Sequence, residues 1–300
     1  MTRRNWLLFG AMCVIWGIPY LLIRVAVRDV SPPDLVFART GIAGLILLPV
    51  ALWRGALMPV LRRWRPLLAY TITELAIPWL LLSDAETKLS SSLAGLLVAA
   101  VPLAGVVILA IIGGYEPVQR STLVGLLMGL VGVAALVGLD LHQLNALAVA
   151  EVAVVVVGYA LGPVILSRSL SDLPGIGVVA ASLLITAVIY LPIAVLDPPR
   201  RLSAGSIASV LVLATVCTAV AFMVFFALIA GIGPARAVVI TYVNPAVAVL
   251  LGIVALGEKF TAGIAVGFPL ILAGSILGSR RRADRSGVAE AAPTTDAIGV

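Results

Sequence analysis

Glu74 and Pro78 stand one helical turn apart in an apolar stretch, and this spacing joins a carboxyl group to an under-satisfied backbone. Proline has no amide proton, so Pro78 cannot donate the hydrogen bond that the Glu74 carbonyl would accept in a regular helix. Burial disfavours a carboxylate's charge and a nearby cation favours it, so a Glu held between those influences can load and release a proton. The plainer role is a protonated acid that hydrogen-bonds a neighbouring helix. Arg39 is the second embedded charge. Its guanidinium either faces a cavity and attracts anionic groups, or extends along apolar surface to reach water. At about 1.5 Å per residue the expected depths of Arg39 and Glu74 differ by roughly 10 Å, which argues against a direct pair. Arg24 and Glu151 lie nearer to helix ends and read as interfacial.

Pro102 and Pro245 fall near the middle of two other apolar stretches. Each removes an amide donor, leaving the carbonyls of Val98 and Thr241 to find partners. Pro78, Pro102 and Pro245 are therefore expected to mark helix kinks. The run Thr241-Tyr242-Val243-Asn244-Pro245 adds an amide and a phenol at the depth of the second of these prolines. Trp16, Trp79, Tyr159, Tyr242 and Asn244 join Arg39 and Glu74 as candidate cavity residues, with Tyr20 a further aromatic. Core packing is the competing role for each aromatic taken alone.

Other chemistries find few residues to run on. His142 is the single histidine, and Cys13 and Cys217 both lie within apolar stretches. Neither a Cys/His metal site nor a disulfide framework is expected from that inventory, and no cofactor. No G-x4-GK[ST] loop is present to bind a nucleotide phosphate. An intramembrane enzyme would need nucleophile–base pairs or clustered acids, and the apolar stretches offer none.

The elements that must position these side chains are membrane helices. The chain has 300 residues, 62% of them hydrophobic and 11% charged, with mean hydropathy +1.18. Soluble domains carry about 25% charged residues. A spanning helix needs about 20 apolar residues, and ten of them use some two-thirds of this length. The expected spans are 6–26, 35–53, 66–83, 90–112 and 121–139, then 148–167, 175–196, 206–229, 234–256 and 262–279. The run that follows Arg3 and Arg4 is too long for a signal-peptide core and lacks a small-residue cleavage site, so it is read as a retained first helix.

The second five spans repeat the punctuation of the first five. Pro49 returns as Pro192, Pro102 as Pro245, Glu116 as Glu258, Gly125 as Gly267 and Gly132 as Gly274. Pro19-x4-Arg24 returns as Pro163-x4-Arg168. Duplication of a unit with an odd number of spans turns the second copy upside down relative to the first. The expected architecture is an all-α integral membrane protein of ten transmembrane helices in two inverted five-helix repeats with short loops. The units are 1–141 and 142–279, and 280–300 is expected to be a disordered tail. Thirteen of the twenty basic residues fall in connections on one side, which places both termini in the cytoplasm. That asymmetry, rather than nucleic-acid binding, accounts for the net charge of +6. Trp53, Trp64 and Tyr115 suit the headgroup region. Gly125-x3-Gly129, Gly263-x3-Gly267 and Gly274-x3-Gly278 read as close-packing faces, with a second subunit in a homodimer as an additional candidate partner.

Several of these elements together resemble the EamA-type permeases of the drug/metabolite transporter superfamily. They are Trp16-Gly17, Pro33 and Arg39, the run from Pro78-Trp79 to Glu86, and Ser91–Pro102. The second unit matches more fully, in Gly231-x-Gly233-Pro234-Ala235-Arg236-Ala237, Pro245, Gly257-Glu258-Lys259-Phe260-Thr261, Gly267 and Gly274. The resemblance spans residues 6–279. It departs at Gly113-Gly114-Tyr115-Glu116-Pro117, where a Gly-Glu-basic turn is usual, and at Glu74, where relatives often carry a neutral polar residue. The resemblance implies helices 1–4 and 6–9 around a central cavity, with 5 and 10 peripheral. It implies a multi-pass inner-membrane secondary transporter of a bacterial cell, moving small organic metabolites such as amino acids, as an exporter, by alternating access. Its expected partners are a small-molecule substrate, protons and the lipid bilayer. A membrane sensor or partner-binding scaffold without transport is the alternative, and the lack of a sizeable soluble domain argues against it.

Overall fold

The computed structural model describes residues 2–112, 120–138, 145–199, 201–233, 237 and 239–279. His142, the turn from Gly113 to Pro117, Pro234–Arg236 and the 280–300 tail lie outside the described residues. Every regular element among those described is helical. Among the described residues, seven helices are long and apolar enough to cross a membrane: α1 (Arg3–Ala26), α2 (Pro32–Trp53), α3 (Trp64–Lys88), α4 (Ser91–Ile112), α6 (Ala146–Leu170), α7 (Gly175–Leu196) and α8 (Ala204–Ile232). Three shorter apolar helices complete the bundle: α5 (Arg120–Gly138), α9 (Ile240–Leu256) and α10 (Ala262–Ser279). A short helix, Leu57–Arg62, links α2 to α3.

The helices start where side chains replace missing backbone acceptors. Thr2, Ser31, Ser90, Asn145 and Ser203 each accept a hydrogen bond from the amide three residues on, capping α1, α2, α4, α6 and α8. Such caps stabilise a helix by about 1 kcal/mol each. A cap explains one shifted boundary, and a second lies at the far end of α3. α2 begins three residues before the expected 35, at Pro32 after its Ser31 cap. α3 runs on to Lys88 rather than ending near 83, which carries Glu86 into the helix.

Helices pair across the chain rather than along it: α2 with α7, α3 with α6, α4 with α9, α5 with α10, and α1 with α8. The glycine faces of α5 and α10 meet each other. A Cβ at Gly132 would strike the backbone of Gly267 and Ile271, and one at Gly274 that of Gly125 and Gly129. Contact at that distance is what small residues permit in a membrane.

Among the described residues, three helices contain a π-helical turn: α3 at Thr71–Ala76, α6 at Leu166–Leu170 and α8 at Thr215–Val220. The first and third are both six residues long and are offset by the same number, 71 to 215 and 76 to 220 both being 144. The proline expectations resolve differently. Pro78 lies just beyond the α3 π turn, so the ladder widens ahead of the missing donor. α4 breaks at Ala99–Ala100, just ahead of Pro102. α9 runs through Pro245 without interruption. The sequence did not signal the break in α1 at Trp16–Ile18, where Gly17 lies against Val247 and the Asn244 carbonyl of α9.

Candidate functional site

Arg39 is fixed from two sides. Its Nε donates to Thr218 Oγ1 at 2.9 Å, and its guanidinium carbon lies 3.7 Å from the centre of the Trp79 ring. Thr218 sits in the α8 π turn and donates its own proton to the Leu213 carbonyl five residues back, at 2.8 Å. A desolvated cation over an indole face gains about 2 kcal/mol. Arg39 is only 8% exposed, yet its two terminal nitrogens have no hydrogen-bond or ion-pair partner among the described residues. Tyr20, Tyr159, Glu86 and Cys217 surround it within electrostatic reach. A guanidinium held this way presents its planar fork to a carboxylate or phosphate, whose geometry it matches with two parallel hydrogen bonds.

Glu74 stands apart from that cluster. It is half-buried in the α3 π turn, its Oε2 has no partner, and its neighbours are Tyr70 and Tyr159. Gly162 of α6 gives it room, because a Cβ there would occupy the position of the Glu74 carboxyl. No ion pair links Glu74 to Arg39 among the described residues.

The remaining candidates divide by helix pair. Trp16 packs edge-on to Phe222 at 6.0 Å and against Phe225 at 4.8 Å, at the α1–α8 contact. Asn244, its amide oriented towards two carbonyls, donates to Cys13 at 3.1 Å and Ile240 at 2.9 Å, joining α9 to α1. The Tyr242 hydroxyl reaches the Ser275 carbonyl of α10 at 3.4 Å. Arg39, Trp79 and Tyr159 thus come together with Glu74 at their edge, whereas Trp16, Asn244 and Tyr242 occupy other contacts.

Glu86, Thr218 and Glu258 were not among the candidate cavity residues, yet the structure gives each a specific setting. Glu86 is wholly buried, and both carboxyl oxygens lack a donor. Arg24 donates to its main-chain carbonyl and is therefore more than an interfacial anchor. The available signal was the Trp79-x6-Glu86 spacing, which puts both on one helical face two turns apart. Thr218 had no signal beyond a hydroxyl in an apolar run. Glu258 follows Gly257, whose φ of 68° turns the chain back at the end of α9. Its two oxygens accept from the Ser91 and Ser92 amides at 2.8 and 3.0 Å, and from both hydroxyls. That clasp ties the α9–α10 turn to the start of α4.

In the α1–α2 turn, Asp29 accepts from the Ser203 amide at 3.1 Å and the Ser206 hydroxyl at 2.6 Å. Hydrogen bonds from Ser203 first and Ser206 second hold its carboxyl below the usual aspartate range. Among the described residues no three His, Cys, Asp or Glu side chains converge as metal ligands would.

The chain as a whole is similar to known proteins. A family model described as the EamA-like transporter family matches twice, at residues 5–138 and 147–280. YedA of Escherichia coli strain K12, described as an uncharacterized inner membrane transporter, is 30% identical over 254 residues, covering 82% of this chain and 81% of its own. The YedA proteins of the O6:H1 and O157:H7 strains match to the same extent. A solved crystal structure aligns over 95% of this chain and 99% of its own with a TM-score of 0.67 and 22% identity, a likeness of fold. The chain is a membrane transporter, and it belongs to the EamA-like transporter family, whose model matches it twice.

Proposed function

We propose that this chain is a secondary transporter that exports small organic metabolites bearing a carboxylate or similar oxyanion, amino acids and related compounds among them, across the inner membrane by alternating access. The observation that carries the reading is the Arg39 fork, oriented by Thr218 and Trp79 and, among the described residues, unpaired at both terminal nitrogens. A buried cation prepared in that way costs desolvation that an arriving anion helps to offset.

The halves, 1–141 and 142–279, are inverted five-helix repeats in this reading, with 280–300 and both termini in the cytoplasm. Support comes from the pairing pattern. Exchange of the halves, helix n for helix n plus five, turns α1–α8 into α6–α3 and leaves α2–α7, α4–α9 and α5–α10 unchanged. The two six-residue π turns, 144 apart, obey the same exchange. Inverted repeats that rock about a shared midplane site are how secondary transporters alternate access. Single cysteines placed in the α2–α3 and α7–α8 connections are then expected to react from opposite faces.

Counterflow tests the function. Proteoliposomes pre-loaded with an unlabelled amino or organic acid are expected to accumulate the labelled compound in a protein-dependent way for at least one member of a panel. Well-folded protein that moves none of the panel contradicts the reading.

A further inference from the structure

Glu86 is the buried acid to which the transport reading assigns no task. It is 0% exposed, and neither carboxyl oxygen has a donor among the described residues. It lies two turns beyond Trp79 on one face of α3, and Trp79 carries Arg39 on its ring. The charged and titratable groups that face it are Arg24 and Tyr20 of α1, Arg39 of α2, Tyr159 of α6 and Glu258 of the α9–α10 turn. Arg24 is engaged by the Glu86 main-chain carbonyl, and Glu258 by Ser91 and Ser92. On α3 itself Lys88 pairs with Asp84 at 2.5 Å and with Glu151 of α6 at 3.4 Å. Hydrogen bonds to neutral groups leave the charges of Arg24 and Glu258 in place, but the two are opposite in sign and offset each other beside Glu86, which leaves Arg39 as the cation for Glu86 to answer.

A low-dielectric interior tolerates net charge poorly. Arg39 and Glu86 offer it two neutral arrangements. With the fork empty, ionised Glu86 offsets the guanidinium. With an oxyanion on the fork there is one negative charge too many, and a proton on Glu86 removes it. We propose that Glu86 is a proton-binding site linked to the Arg39 fork, taking a proton from water as an oxyanion arrives and returning it to water as the oxyanion leaves. The solute then crosses as an electroneutral acid, proton and anion travelling together. Efflux of an accumulated acid down its own gradient needs no other driving ion. Linkage makes the effect reciprocal: the proton strengthens anion binding by the factor by which the anion strengthens proton binding. This inference rests on Arg39 being the anion anchor. Glu74 has no cation near it to answer among the described residues and takes no part.

Cys217 precedes Thr218 and lies within the field of Arg39, so it reports charge at the fork without knowledge of the solute. In a Cys13→Ala background, Cys217 is modified with a sulfonate-bearing methanethiosulfonate and, separately, with the neutral methyl reagent. The ratio of the two rates cancels the ionisation of the thiol. We expect the ratio to rise about tenfold as falling pH protonates Glu86. Glu86→Gln is expected to hold it high at every pH, and Arg39→Gln to hold it low. A flat ratio in the parent, or a parent-like pH dependence in Glu86→Gln, overturns the proposal. Should Cys217 resist both reagents, infrared difference spectra of the nanodisc-embedded protein decide. A carboxylic-acid band missing from Glu86→Gln, and moved to higher pH by added benzoate, supports the linkage; a band indifferent to benzoate sinks it. Neither readout is transport, so a failed counterflow experiment removes the export reading without touching this result.

Discussion

Arg39 of α2 and Thr218 of α8 are hydrogen-bonded at 2.9 Å across 179 residues of sequence, one from each of the two stretches that the family model matches. The threonine hydroxyl accepts from Arg39 and donates to the Leu213 carbonyl at 2.8 Å, using both of its capacities. The direction of the guanidinium fork therefore depends on the π turn that presents Thr218.

Thr218→Val keeps the shape of the side chain and removes both bonds. A hydrogen bond to a charged group contributes about 1.5–3 kcal/mol. The apparent affinity for the transported anion is expected to fall by about tenfold or more, with maximal rate and expression little changed. Thr218→Ser is expected to restore it. Concentration-dependent counterflow of both variants separates this positioning role from a fold defect, which would lower the amount of active protein instead.

The contact between α3 and α6 predicts an order of damage. A Cβ at Gly158 would meet the Thr73 carbonyl and the Pro78 ring, neither of which can move freely. At Gly162 it would meet the end of the Glu74 side chain, which can turn aside. Overpacking costs about 1–3 kcal/mol, so Gly158→Ala is expected to lower thermal stability in detergent more than Gly162→Ala. Combining Gly162→Ala with Glu74→Ala should recover part of the loss. Equal effects at the two glycines would contradict the packing described.

The Glu258 clasp makes a third prediction. Glu258→Ala leaves the first amides of α4 without their carboxylate and is expected to cost about 1–3 kcal/mol. Thermal unfolding should report it. Glu258→Gln is expected to lose less, because one oxygen still accepts. Unchanged stability in both variants would mean that the clasp holds nothing.

Asp29 supplies a pH dependence outside the membrane. Its carboxyl is held below the ordinary value of 3.8 by Ser203 and Ser206 at the start of α8. A depressed aspartate contributes stability that is present above its unfolded value and is lost as pH falls through its folded value. Melting temperatures in the acid range are expected to fall with pH in the wild type and less steeply in Asp29→Asn. Parallel profiles would remove this anchor from the account.

The helices were legible in the sequence, because their length and apolarity have few other uses, and the recurring prolines and glycines are what the proposed repeat rests on. Arg39 and Glu74 were legible as charges placed where charge is costly. Glu86 was not, since an end to α3 near residue 83 put it in a connection; the structure carries the helix to Lys88. Thr218 was hidden for a different reason. Its importance comes from a π turn that changes which face of α8 meets Arg39, and hydrophobic periodicity carries no mark of such a turn. Tyr242 and Asn244 illustrate the reverse, polar groups at mid-depth whose partners are neighbouring helices.

Competition at the transport site tests the central claim most directly. Counterflow of a labelled acid is measured against a competitor bearing a carboxylate and against its uncharged amide, in wild type and in Arg39→Gln. Loss of a bidentate charged contact is expected to weaken the acid competitor by about ten- to a hundredfold and leave the amide nearly unchanged. Equal weakening of both competitors would contradict the account and make Arg39 a structural residue.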